Sequence, residues 1–106
     1  MRKLLKIMGE RLAAGEDLVL VTVVASSGAT PRGAGARMLI GREGRLCGTI
    51  GGGSVEYRSE HIAAELLAKG ESREVDFSLT RDDVQNLGMV CGGAVNVYFG
   101  FIRAHD

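Results

Sequence analysis

Apolar residues recur along the chain with two different periods, and the switches between them outline the elements. From Lys3 to Ala14, Leu4, Leu5, Ile7, Met8 and Leu12 fall at helical spacing, and Gly15 supplies the residue type that most easily ends a helix. Asp17 to Val24 reads DLVLVTVV, a near-continuous β-branched run that fits a central strand covered on both faces. Ala36–Gly41 and Arg45–Ile50 form a strand pair turned by Arg42-Glu43-Gly44. Ser54 to Lys69 is the strongest helix: Val55, Ile62, Ala63 and Leu66 share one face, Ser54 can cap its start, and Gly70 follows its end. Arg73 to Leu79 alternates Val75, Phe77 and Leu79 with Glu74, Asp76 and Ser78, the mark of a half-exposed strand. Thr80 can cap a short helix stopping at Gly88, and Ala94 to Ile102 closes the chain as a last strand. The pattern predicts a single α/β domain over residues 1–106, with a mixed sheet and about three flanking helices.

Composition narrows the partners. The chain carries 13 Lys plus Arg against 13 Asp plus Glu, so no global field attracts nucleic acid or an anionic membrane. An anionic ligand must then be held by local geometry. No apolar run approaches the ~20 residues of a membrane span, and no signal-type stretch follows Arg2 and Lys3. Cys47 and Cys91 stand far apart, as do His61 and His105, so no zinc pattern can be written. The expected setting is the cytoplasm, with both thiols reduced.

The unusual number is 16 glycines against one proline. They cluster in two loops, Ser26-Ser27-Gly28-Ala29-Thr30-Pro31-Arg32-Gly33-Ala34-Gly35 and Gly48-Thr49-Ile50-Gly51-Gly52-Gly53-Ser54. A strand running through glycines into a helix leaves backbone N–H groups aimed outward, which favours an anion or a flat ring lying against the main chain. Each loop alone is as readily a tight packing turn; two such loops after neighbouring strands favour a ligand site. The standard nucleotide motifs fail. Ser54 stands where a Walker A loop needs lysine, and Glu56 and Met38 stand where dinucleotide fingerprints need a final glycine.

GATPRGAGARM (Gly28 to Met38), GTIGGGSVE (Gly48 to Glu56) and GMVCGGAVNV (Gly88 to Val97) resemble, in order and spacing, the amino-terminal domain of the XdhC/CoxI family. That family matures xanthine and carbon-monoxide dehydrogenases and related molybdenum hydroxylases. The resemblance covers nearly the whole chain, with two departures: Ala29 replaces a frequent serine, and Ser54 replaces a frequent cysteine. Family members usually carry a second, Rossmann-like domain, which a separate subunit would have to supply for residues 1–106.

The resemblance implies binding of the molybdenum cofactor, in its mono- or dinucleotide form. It also implies sulfuration with a cysteine desulfurase-type sulfurtransferase and delivery into an apo-hydroxylase, an accessory role rather than catalysis. Gly51, Gly52, Gly53 and Ser54 suit the phosphate tail, and Arg32 and Arg37 could add charge-assisted bonds. Glu56 could accept from the pterin N–H edge, or simply favour the helix dipole. Gly28 and Thr30 complete the first loop. Cys91, flanked by Gly92 and Gly93, could touch molybdenum or the incoming sulfur, or be a packing residue only, whereas Cys47 reads as a small core residue. Because micromolar binding needs about 8 kcal/mol and one phosphate loop falls short, a homo-oligomer would usefully add walls. Two other readings stay open: a nucleotide- or sulfur-transfer enzyme using Cys91, and a cofactor-free protein docking a Rossmann-like partner.

Overall fold

The computed structural model describes residues 2–27, 34–78 and 94–104. Helix α1 (Arg2–Ala13) leads into β1 (Leu18–Ser27); β2 (Arg37–Gly41) and β3 (Gly44–Gly48) form a hairpin; α2 (Gly53–Lys69) crosses to β4 (Arg73–Ser78), and β5 (Ala94–Ile102) is the last described strand. The strands make one sheet in the order β3-β2-β1-β5-β4. Every ladder is antiparallel, so the α/β class stands with an antiparallel sheet in place of the expected mixed one. Two helices are described; the short helix expected over Thr80 to Gly88 lies outside the described residues.

The two-sided character of DLVLVTVV has a direct cause. Val19, Val21 and Val23 face α2, where they pack with Met38, Ile40, Val95, Val97 and Phe99 under Val55, Ala63 and Leu66. Leu18 faces the other way and packs with Leu39 under Leu4 of α1, with Ile7, Met8, Leu12 and Leu20 partly buried around them. Alternate residues of β1 therefore serve different helices, and no polar side chain is tolerated until Thr22.

The ends of α2 follow backbone chemistry rather than the expected side-chain cap. Gly70 has φ 69° and donates its N–H to the Leu66 carbonyl, a left-handed ending that glycine adopts without strain. At the start, Gly52 occupies the cap position with no side-chain cap bond, and Ser54 lies inside the helix. The first turn is instead secured by Glu56.

Candidate functional site

Strand polarity places the three motifs. With every neighbour antiparallel, the last residue of β1, the first of β2, the last of β3, the last of β4 and the first of β5 lie at one end of the sheet. Both helices run the opposite way to β1, and their N-termini meet that same end. The connection between β1 and β2 is closed at its neck by Val23 N–H to Ala36 O at 2.9 Å and Gly35 N–H to Val23 O at 2.8 Å. The next two motifs are tied to this neck: Thr49 N–H donates to the Arg37 carbonyl at 3.0 Å, and Ser27 pairs with Ala94.

The second glycine segment is organised by a carboxylate. Glu56 Oε1 accepts from the Thr49 hydroxyl, from Ile50 N–H at 3.0 Å and from Gly52 N–H at 3.1 Å. Gly51 N–H donates to Thr49 Oγ1 at 3.0 Å. Gly51, Gly52 and Gly53 have φ of 119°, 79° and 72°, a succession that side chains with a Cβ would resist. Burial raises the pKa of Glu56, but the Thr49 hydroxyl, the two backbone N–H groups and the Arg45 guanidinium outweigh it and hold the carboxyl below its ordinary value. Arg45 Nη1 lies 3.9 Å from Glu56 Oε2 and donates to the Gly48 carbonyl at 2.8 Å, while its Nε sits 3.6 Å from Glu60.

This network changes the chemistry expected of the loop. N–H groups of Ile50, Gly51 and Gly52 go to Glu56 and Thr49, and a negative charge already fills the concavity. A phosphate placed there would meet like charge. What the loop presents outward is bare backbone: a Cβ at Gly52 would meet nothing within 4 Å. Thr49 and Arg45 belong to this network, and sequence reasoning does not single them out. The Thr49-to-Glu56 spacing of seven residues crosses a turn that only its glycine backbone makes possible.

Arg37 lies elsewhere, on the α1 side of β2. With Lys3, Leu4, Gly35, Cys47 and Gly48 it lines a cavity of about 380 Å³. Cys47 is half-buried and unpaired there, packed at the margin of the α1 cluster rather than fully in the core. A cavity of about 410 Å³ opens at the opposite end, around Gly15, Glu16, Asp17, Gly41 and Arg42. Its acids already have partners: Glu16 pairs with Arg11, and Asp17 accepts from Ala104 N–H at 2.8 Å. None of its described lining residues belongs to a motif. His61 is exposed and stacks edge-on against Tyr57. Among the described residues no three His, Cys, Asp or Glu side chains gather to hold a metal, and no helix is long and apolar enough to cross a membrane. Gly28, Thr30, Arg32, Cys91, Gly92 and Gly93 lie outside the described residues.

The fold and site define a small α/β domain that gathers glycine-rich segments at one end of an antiparallel sheet. The chain belongs to the XdhC and CoxI family, whose model matches residues 11–78. It is 31% identical over 103 residues to the molybdenum cofactor insertion chaperone PaoD of Escherichia coli (strain K12), covering 97% of this chain and 32% of PaoD. It is 33% identical over 88 residues to a probable xanthine dehydrogenase component of Bacillus subtilis (strain 168), covering 78% of this chain and 26% of that protein. The crystal structure of a xanthine dehydrogenase from Bacillus halodurans matches with a TM-score of 0.67 at 26% identity, over 90% of this chain and 29% of that one. The chain thus spans at most about a third of the length of these relatives.

Proposed function

We propose that this domain binds the molybdenum cofactor as cargo and takes part in its insertion into an apo molybdenum hydroxylase, without being a catalyst itself. The observation that carries the reading is that the described parts of three motif-bearing segments meet at one sheet end, tied by the Thr49-to-Arg37 bond and by the pairing of Ser27 with Ala94. The family and the chaperone relative agree with it.

The residues fit such cargo in parts. Gly51, Gly52 and Gly53 offer bare main chain against which a flat pterin can lie. Glu56 is a positioning residue that fixes this segment. Arg37 offers a guanidinium on the α1 side, and Gly28, Thr30 and Arg32 are assigned to the same cargo on their sequence motif alone. Cys91, between Val90 and the glycines that lead into β5, is assigned to the molybdenum end, where a cysteine desulfurase-type partner would supply sulfur. A second copy of this chain and a Rossmann-like partner would complete the walls, in a cytoplasmic assembly.

Protein purified from a cofactor-producing host should carry molybdenum and absorb in the visible. Cys91→Ser should lower the bound molybdenum with its melting temperature nearly unchanged. A colourless, molybdenum-free protein that also fails to take up added cofactor would refute the reading.

A further inference from the structure

The cavity on the α1 side has a composition that the glycine segment lacks. Lys3 comes from the first turn of α1, Arg37 from β2, and Cys47 and Gly48 from β3. Among the described residues neither Lys3 nor Arg37 pairs with a carboxylate, while Arg11, Arg45 and Arg73 all do. Arg37 donates one bond, from Nη1 to the Gly35 carbonyl at 3.2 Å, which leaves most of its donors for a ligand. The first turn of α1 carries no acidic residue, whereas the first turn of α2 is neutralised by Glu56. A cavity of about 380 Å³ has room for a phosphoryl group and part of what it is attached to. Gly35 adds nothing that would fill it, since a Cβ there would meet no atom within 4 Å.

We propose that this cavity is the phosphoryl-binding subsite of the domain, with Lys3 and Arg37 as its cations and the Cys47 thiol in its wall. The inference rests on the reading above for the identity of the ligand but not for the chemistry of the pocket. It moves the phosphate end of the cargo off the Gly51–Gly53 segment, where Glu56 already sits, to the opposite face of the hairpin. The bare main chain of Gly51–Gly53 would then be left for the flat ring.

The test uses inorganic phosphate and the whole chain. Titration with phosphate at constant ionic strength should give saturable binding by NMR shifts, and it should slow alkylation of Cys47 by iodoacetamide, read by peptide mass spectrometry so that Cys91 is followed separately. Lys3→Met and Arg37→Met should each weaken phosphate binding roughly tenfold, the loss expected for one charge-assisted bond. Arg42→Gln, a cation at the far end of the sheet, should not. Unchanged binding in both pocket variants, or no protection of Cys47 by phosphate in the unaltered protein, would overturn the subsite even if the protein carries molybdenum. Phosphate binding with the expected losses, in a protein that never holds molybdenum, would keep the subsite and sink the cofactor reading instead.

Discussion

Glu56 answers for the shape of the second glycine segment. Its carboxylate accepts from Thr49, Ile50 and Gly52 and is held below its ordinary value by those bonds and by Arg45 against the opposing effect of burial. A depressed folded value contributes stability that is in place above the unfolded carboxylate value, about 4.3. That contribution is lost as pH falls through the folded value. Glu56→Gln should therefore cost about 1–3 kcal/mol at neutral pH, and the gap to the unaltered protein should narrow in melts below about pH 4. A gap that is constant with pH would mean that the charge is not what binds the loop. Ser59 is the opposite case: its hydroxyl is buried on the inner face of α2 and has no hydrogen-bond partner among the described residues. Ser59→Ala removes an unsatisfied group at little cost in volume and should leave the protein as stable or raise stability by about 1 kcal/mol in urea melts. At this scale the sequence is only half legible. A carboxylate in a first helical turn suits a helix start on sight, but Thr49 and the N–H groups it meets become neighbours only through three successive positive-φ glycines.

Elements are more legible than residues, because burial imposes a period on them. The final strand, Ala94–Ile102, and the alternation of β4 match their patterns. The Arg42–Glu43 turn joins the expected hairpin. What local pattern does not convey is the relative direction of strands far apart in sequence. A continuous apolar run means cover on both faces, and α1 and α2 supply it here over antiparallel neighbours. The start of α2 departs from expectation because serine is a common cap, while the Gly52 backbone and the Glu56 carboxylate do that work. Gly48 couples the elements most tightly. It has φ 80°, and a Cβ there would collide with the Arg37 carbonyl oxygen and stand 3.0 Å from the Met38 Cα. Gly48→Ala should therefore cost about 2 kcal/mol or more through strain and separation of β2 from β3. The Thr49 amide should exchange faster with solvent, since its bond to Arg37 depends on that approach. An unchanged melting temperature and unchanged Thr49 protection would show that the hairpin tolerates a wider spacing.

At the scale of the whole molecule the two ends of the sheet are unlike. One end collects the motif segments, both helix N-termini and the cations Lys3 and Arg37, which pair with no carboxylate among the described residues. The other holds the turn at Arg42–Glu43 and a cavity whose acids are already engaged by Arg11 and by Ala104 N–H. If cargo is held at the first end, loss of retention should depend on which end a substitution occupies rather than on how large a cavity it faces. Gly52→Val replaces an outward-facing glycine at φ 79° with a β-branched residue, which strains the loop and blocks approach to its backbone. It should lose bound molybdenum while the far-ultraviolet circular dichroism of the helices and sheet persists, because no core side chain is touched. Arg32→Ala should lower retention roughly 10- to 100-fold if it supplies one charge-assisted bond. Arg42→Ala, on the larger cavity at the far end, should retain cargo like the unaltered protein. The measurement is molybdenum per chain after gel filtration, with circular dichroism on the same samples. Retention that falls equally for Arg42→Ala and Gly52→Val would detach the cargo from the motif end and leave the convergence of the three segments as a feature of folding alone.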